Sequence, residues 1–534
     1  MKKLIALILC LAVAALTFAA CGGSEGSASE AASAPVSEDA VSSPESAEPV
    51  LSQEEEVSEE VSVDEIQAIL NDPDIYKGDK YAGMEFRILT FGIKDTPVSE
   101  FVYNDNASEE DMPETVNAAI RERNDKVYDA LGVTITEEYM KSDARYGGSS
   151  LKRVYDMING AEDEYSMLSI CLYDCGTLAL NASLWDLNKL NNINMQNPWW
   201  EQYFNESVEL AGHLYFTTGD IGTSMKGSTP VVFYNTKLIS DLGLEDPIHV
   251  ANRGEWTIDK ALEYARAMPH ENLPATEKYK GEFGWSGQYD DMYAMLYGSG
   301  TRILSAGPDD ELVLTLNTET AINTVNKVIK LMTDDSYVCG NDLFSLSNTP
   351  MELLVTAFEE NRCLFYSGSI YLAARLDMDA VFGILPVPKC TAEQEHYYSM
   401  VNTWTSNAYC IAMNLDEEGA EFAAAVMDVM GYYSWSMYPN SLSYNYYEKM
   451  LKNQKLARED SEAMLDLIFE ARGCELGSIF QIGKQSGKTN VNEMLIQLLK
   501  GKGDLQFVSV YETYKNAFET DTEALNEYFR EDAE

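Results

Sequence analysis

The residues best equipped to do chemistry in this chain are aromatic rings set beside acids and amides. Tyr173 is followed by Asp174, Trp285 precedes Gln288 and Asp290, and Trp404 stands between Asn402 and Asn407. Asp220 lies on the loop ahead of the apolar run Val231-Val232-Phe233-Tyr234, and Tyr366 ends a second run, Cys363-Leu364-Phe365-Tyr366. A ring face covers apolar C–H groups, and a carboxylate or amide takes up hydroxyl hydrogens, so such pairs suit a sugar. With 32 Tyr and 7 Trp, the chain has ample material for that kind of recognition.

Catalytic chemistry has less to stand on. There is no Ser/His/Asp arrangement, no Walker loop and no Gly-x-Gly-x-x-Gly, and Gly284-x-Ser286-Gly287 lacks the spacing of a nucleophile elbow. Acids are so numerous that some pairs reach glycosidase spacing by chance. The chain therefore reads as a binder and not an enzyme, with an anchored carbohydrate-active enzyme as the alternative. Of the nine cysteines, Cys10 lies in the leader and Cys21 ends it, and the remaining seven cannot all pair. Cys171-x-x-x-Cys175 lacks zinc-finger spacing and the four histidines are far apart, so no metal site and no cofactor is expected. Cys363 and Cys410 sit in apolar runs and read as buried thiols.

The 87 acids outnumber 38 bases, for a formal charge of −49. Such a surface repels phosphate backbones and anionic lipid headgroups, which argues against a nucleic-acid partner. A chain of 534 residues also exceeds what one core organises, so two or three domains are expected.

Residues 1–20 read as a leader. Met1-Lys2-Lys3 is basic, and residues 4–16 form an apolar run of 13, too short to span a membrane. Thr17-Phe18-Ala19-Ala20-Cys21-Gly22 then resembles a bacterial lipobox, although Phe18 replaces the usual Leu. That resemblance implies cleavage before Cys21, lipidation of its sulfur and anchoring at the extracytoplasmic face of the cell membrane. The alternative is an ordinary signal peptide cut after Ala19 or Ala20. Residues 21–65 form a tether: from Gly22 to Glu65 there are 13 acids, no Lys or Arg and no aromatic residue, a composition that cannot bury a core.

The elements that must position the aromatic and acidic pairs follow. Residues 64–70 suggest a short helix. Residues 84–91 read as the first core strand, 115–131 as a helix stopped by Gly132, and 133–136 as the next strand. That succession is a βαβ unit and predicts a parallel sheet. A helix over 151–159 and a strand over 168–172 come next. Tyr173 and Asp174 fall at that strand's end, where open α/β sheets place ligands; the other reading is a turn with a packed tyrosine. Trp199-Trp200 reads as core. Residues 231–234 form a buried strand, 237–242 a short helix ended by Gly243, and 258–267 a helix with Thr257 as its cap. Residues 283–290 read as a loop rich in groups that suit sugar binding, followed by helices over 291–297 and 320–332 around a strand over 312–316. The chain beyond 430 reads as helical. Its dense aromatics (Tyr432, Tyr433, Trp435, Tyr438, Tyr444, Tyr446, Tyr447) either pack between helices or wall a cleft.

Four segments together resemble the extracellular solute-binding proteins of ABC importers, carbohydrate type. They are Tyr234-Asn235-x-Lys237-Leu238 with Gly243, Pro247 and Trp256-Thr257-x-Asp259; Ala357-Phe358-x-x-Asn361-Arg362; Gly383-x-x-Pro386-x-Pro388; and Trp404 to Met413 with the helix after it. Asn361 stands where the family has Gly, and Asn tolerates the same left-handed turn. The resemblance covers about 84–430. It implies an α/β, two-lobed, periplasmic-binding-protein-like fold, each lobe a mostly parallel sheet flanked by helices, joined by hinge strands around 230–234, 362–366 and 409–413. It divides the chain into lobe 1 (84–230 with 366–408) and lobe 2 (235–361 with 414–534, including a helical C-terminal extension). It further implies a monomer that captures a sugar or oligosaccharide between the lobes by hinge closure and delivers it to ABC permease subunits, with Tyr173, Asp174, Asp220, Trp285, Asp290, Tyr366 and Trp404 as ligand contacts. A peptide or other small solute bound by the same fold is the alternative.

Overall fold

The computed structural model describes residues 78–92, 99–107, 112–141, 146–160, 165–271, 273–307, 311–437, 440–447 and 459–531. The leader, Cys21, the tether, the short helix over 64–70 and Tyr438 lie outside the described residues.

Thirteen strands occur among the described residues. In chain order they are β1 (Glu85–Gly92), β2 (Thr134–Lys141), β3 (Met167–Cys171), β4 (Pro230–Asn235), β5 (Phe283–Gly287), β6 (Leu304–Ala306), β7 (Leu312–Leu314) and β8 (Tyr337–Cys339). The later ones are β9 (Cys363–Ser369), β10 (Phe382–Leu385), β11 (Ser399–Met400), β12 (Asn407–Cys410) and β13 (Arg472–Gly473).

The first lobe is built on the sheet β12-β3-β1-β2. Here β1 runs parallel to β2 and β3, and β12 returns antiparallel to β3. Every residue of β3 is buried; its one polar side chain, Ser169, is met by the Asn407 amide at 3.3 Å. Helix Glu114–Leu131 supplies the crossover from β1 to β2 and buries Val116, Ala119, Ile120, Val127 and Leu131 on one stripe. Gly132 ends it at φ 68°, in the left-handed region, and a Cβ there would stand 2.9 Å from the Cα of Ala82. The expected βαβ unit is present.

The second lobe carries the sheet β10-β4-β9-β5-β8. β5 is parallel to β8 and β9, while β4 is antiparallel to β9 and to β10, so this sheet is mixed rather than mostly parallel. Asn361 adopts φ 57°, as the turn before β9 requires, and its side-chain oxygen accepts a bond of 2.8 Å from Asn235. Asn235 in turn caps helix Thr236–Asp241 through Leu238 N. The asparagine in the glycine position thus ties two family-like segments together.

Three expectations are corrected. Residues 283–290 are not a loop: Phe283–Gly287 is a buried strand. Gly284 lets it approach helix Ile258–Ala267 so closely that a Cβ would fall 2.0 Å from the carbonyl oxygen of Ala265. The expected hinge strands do not cross between the sheets: β4 (around 230–234) and β9 (around 362–366) lie within the second sheet, and β12, at the start of 409–413, lies within the first. The lobe division also moves. β10, grouped with lobe 1 in the sequence reading, pairs with β4, and helix Glu417–Ser436, grouped with lobe 2, packs on helix Glu114–Leu131. Its Phe422 ring lies 5.2 Å from Tyr81 and 6.2 Å from Phe86. An apolar strand or helix declares that it will be buried, not which sheet will bury it.

The aromatic pair Trp199-Trp200 is core, as expected, and each residue is 1% exposed. Both indole N–H groups donate to Asp428 Oδ1, at 2.8 and 3.0 Å, and Asn197 donates to the same carboxylate. The C-terminal part is helical over Glu459–Glu470, Val491–Lys500 and Phe507–Glu531. Two buried acids fasten it. Glu475 accepts from Ile303 N and Leu304 N, and Asp521 from Gly483 N and Gln485 N. Cys363 and Cys410 are buried thiols, as expected, and all seven described cysteines are unbridged. No helix among the described residues is long and apolar enough to cross a membrane.

Candidate functional site

A cleft of about 350 Å³ opens where the two sheets meet. The first lobe contributes Tyr146 and Tyr173. The second contributes the start of β4 (Pro230, Val231, Val232), the end of β9 (Ser367, Gly368, Ser369) and the first turns of helix Asp290–Gly298. Residues 402–405, which join β11 to β12, form one side, and Ser478, Asn490, Asn492 and Glu493 from the C-terminal part form another.

Each feature has a local cause. Tyr173 opens the helix Leu172–Leu180 directly after β3, so its ring projects beyond the sheet's carboxyl edge. It packs against Tyr146 with centroids 4.8 Å apart. Burial pushes its hydroxyl up to about 12, against an opposing hydrogen bond with Ser478. Ser478 also bonds Thr403 at 2.9 Å, so one hydroxyl links the first lobe, the 402–405 turn and the C-terminal part. Asn402 tightens that turn by accepting from Trp404 N at 3.0 Å and Thr405 N at 3.1 Å. The turn holds the Trp404 side chain outward, 41% exposed on the cleft wall.

Two consecutive carboxyls mark the second lobe's side. Asp290 is open to solvent yet enclosed by the concave wall, which raises its pKa against a hydrogen bond from Asn492. Asp291 is buried and accepts from Tyr337 Oη at 3.1 Å. Burial pushes it up to about 7, against hydrogen bonds with Ser367 and Tyr337, with the neighbouring charge of Asp290 adding to the rise. Glu493 is exposed at the rim, in the first turn of helix Val491–Lys500, whose cap Asn490 accepts from Glu493 N. The described lining residues include no Lys, Arg or His. Among the described residues no group of three His, Cys, Asp or Glu is arranged to hold a metal ion.

Of the seven residues singled out from sequence, the structure brings Tyr173, Asp290 and Trp404 together in this cleft. The other four lie elsewhere. Asp174 is 1% exposed and accepts from Tyr146 N and Gly147 N, so it positions the ring that Tyr173 packs against. Trp285 is fully buried, nearly parallel to Trp256 at 6.3 Å, and donates to Ser367 Oγ at 2.9 Å from beneath the cleft. Tyr366 is buried within β9, 6.3 Å from the Phe358 ring. Asp220 accepts from Lys226 at 2.8 Å in a second hollow of about 530 Å³. Trp435, Tyr444 and Tyr447 also line that hollow, so these members of the C-terminal aromatic group do not wall the cleft between the sheets. The sequence reading missed Tyr146, Asp291, Ser478, Asn490, Asn492 and Glu493. A signal existed for the last three: Asn490-x-x-Glu493 ahead of an apolar run is a helix start.

No protein-family model matches the chain, and no curated protein matches it in sequence. Solved structures do match. An ABC substrate-binding protein from Listeria monocytogenes, in complex with cycloalternan, aligns over 83% of this chain and 99% of its own at 13% identity, with a TM-score of 0.53. The cyclic alpha-maltosyl-1,6-maltose binding protein from Arthrobacter globiformis aligns over 82% and 99% at 12% identity, TM-score 0.52. UgpB from Mycobacterium tuberculosis, in complex with glycerophosphocholine, aligns over 83% and 98% at 15% identity, TM-score 0.51. Similarity of that extent at such low identity is a likeness of fold: the chain has the two-lobed α/β fold of the ABC solute-binding proteins.

Proposed function

We propose that this chain is the extracytoplasmic solute-binding receptor of an ABC importer and that it captures a sugar or oligosaccharide between its lobes. The observation that carries this is the cleft itself. Tyr173 from one lobe, Asp290 from the other and Trp404 from the turn joining β11 to β12 meet on a single hollow, together with side-chain amides and hydroxyls. Rings for apolar faces and acceptors for hydroxyls are the complement of a carbohydrate. Two of the fold neighbours support the same class, one bound to cycloalternan and one named for a cyclic maltosyl-maltose.

Residues that join the lobes also line the cleft, at Ser228–Pro230 and at 402–405. Ligand bound there bridges both lobes and favours the closed arrangement by its differential affinity, which gives a permease a way to sense occupancy. Lipidation at Cys21 would hold the receptor at the outer face of the membrane, beside its permease subunits.

The test is thermal shift and tryptophan fluorescence of the full chain against neutral and charged oligosaccharides, peptides and polyamines. Binding at a hundredfold excess over Kd adds about 2.7 kcal/mol of apparent stability. Stabilisation by a glycan, lost in Tyr173→Ala and Trp404→Ala, is the expected result. Stabilisation by peptides alone would replace the cargo class, and glycan turnover would replace the receptor with an enzyme.

A further inference from the structure

Some carboxylates withdrawn from water in this molecule are met by cations, and others, such as Asp428 and Glu475, are matched by several neutral N–H donors. Burial would raise the Glu201 carboxyl, but the charges of Arg472 and Lys226 hold it below its usual range. Asp220 has Lys226 at 2.8 Å. The cleft is different. Asp290, Asp291 and Glu493 all line it, and no described lining residue carries a positive charge.

What the cleft offers them instead is neutral. Asp291 has the hydroxyls of Tyr337 and Ser367, and Asp290 has the Asn492 side chain. Asn492 Oδ1 is itself buried without a hydrogen-bond partner, a second acceptor waiting for a donor. Buried acceptors left unmatched are costly, and a carboxylate without a counter-charge more so. Both aspartates respond by holding their protons more tightly than usual, Asp291 up to about 7. A neutral polyol satisfies acceptors one hydroxyl at a time and leaves the charge uncompensated. An ammonium supplies several N–H donors and the missing charge together.

The aromatic members fit the same ligand. Tyr173 and Trp404 line the cleft with no lysine or arginine among its described lining residues, and ring faces attract cations. At the rim the protein already uses this attraction. The Lys484 ammonium stands 4.2 Å from the centre of the Tyr146 ring, and its proton donors go to the Tyr146 hydroxyl and to Gln481 Oε1.

We infer that the cargo bears a protonated amine, as in an amino sugar, and that Asp290 and Asp291 receive it with Asn492 and Glu493 in support. This rests on the carbohydrate reading above and narrows it. Asn492 and Glu493 come from the C-terminal helix Val491–Lys500, which makes that part of the chain a determinant of specificity.

Isothermal titration of the full chain tests this with four probes: a glucosamine oligomer, the N-acetylated oligomer of equal length, maltotriose and spermidine. The two oligomers share one sugar skeleton; acetylation removes the charge on nitrogen and adds an acetyl group, and maltotriose is the uncharged probe without that group. The glucosamine oligomer is expected to bind at least tenfold more tightly than its acetylated counterpart. Asp290→Asn should lower that preference tenfold or more. Glu493→Gln, at an exposed position that folding does not depend on, should lower it about threefold. Equal or tighter binding of the acetylated oligomer or maltotriose would overturn the amine assignment and leave the carbohydrate reading standing. Binding of spermidine alone would support the amine and overturn the carbohydrate. Failure of both amine-bearing probes to bind would overturn the inference.

Discussion

Replacing Asp291 by Asn should stabilise the protein at neutral and alkaline pH and do little in acid. The folded chain holds this carboxyl up to about 7, whereas its ordinary value is 3.8. Burial in the wall beneath the cleft is the main cause, and Ser367 and Tyr337 only partly oppose it. Because the folded state keeps the proton longer than the unfolded chain, folding is undisturbed below about pH 4 and loses stability as pH rises towards 7. At about 1.4 kcal/mol per pH unit, that gap amounts to about 4 kcal/mol above pH 7 and roughly 1–2 kcal/mol near pH 5. The amide removes the titration and keeps an oxygen to accept from Tyr337, which now lies 3.1 Å from the carboxylate. The assay is the melting temperature of both proteins from pH 4 to pH 9 without ligand. The variant should melt together with the parent at pH 4 and progressively above it as pH increases. A difference that stays constant across the range would refute the reasoning, because only a titrating group can produce the divergence.

Trp404→Ala should weaken binding tenfold or more and change unfolding in urea by less than about 0.5 kcal/mol, since the side chain is 41% exposed; a large loss of stability would mean the ring is structural. Asp428→Ala leaves the indoles of Trp199 and Trp200 and the amide of Asn197 without their acceptor. Its expected cost is about 3 kcal/mol in urea unfolding, from unmatched buried donors. Asn361→Val should cost about 1–2 kcal/mol and Asn361→Gly much less, because the residue sits at φ 57°; similar effects of the two would show that the Asn235 contact, and not the backbone, matters. Gly284→Ala should fail to fold stably, as judged by lost cooperativity in thermal melting, because the added carbon has backbone 2.0 Å away.

What could be read from the residues depended on the range of the forces involved. The unit of β1, helix Glu114–Leu131 and β2 was legible because its signals are local: an apolar run, a stripe of helical period and a glycine stop. The left-handed turn at Asn361 was legible from its place in a family-like segment. Trp285 was misplaced because Phe-Gly-Trp-Ser-Gly looks like a turn. Its Gly284 serves the close approach of Ala265, and its Gly287 that of the Asp291 and Tyr337 side chains. Asp174 was misassigned for a related reason: at a strand's end a carboxylate can face ligand or, as here, fasten the backbone at Tyr146 and Gly147. The lobe to which β10 and helix Glu417–Ser436 belong is a matter of long-range pairing, and hydrophobicity does not encode the partner.

Every strand of the two large sheets lies before residue 411, while Ser478, Asn490, Asn492 and Glu493 come much later in the chain. Synthesis runs from the N-terminus, so both large sheets are complete in covalent terms before the last wall of the cleft exists. A chain cut short after Glu470 would contain both sheets and lack those four groups. The same arrangement lets Asn490, Asn492 and Glu493 be altered without touching either sheet, while Tyr173, Asp290 and Trp404 remain fixed by the earlier part of the chain.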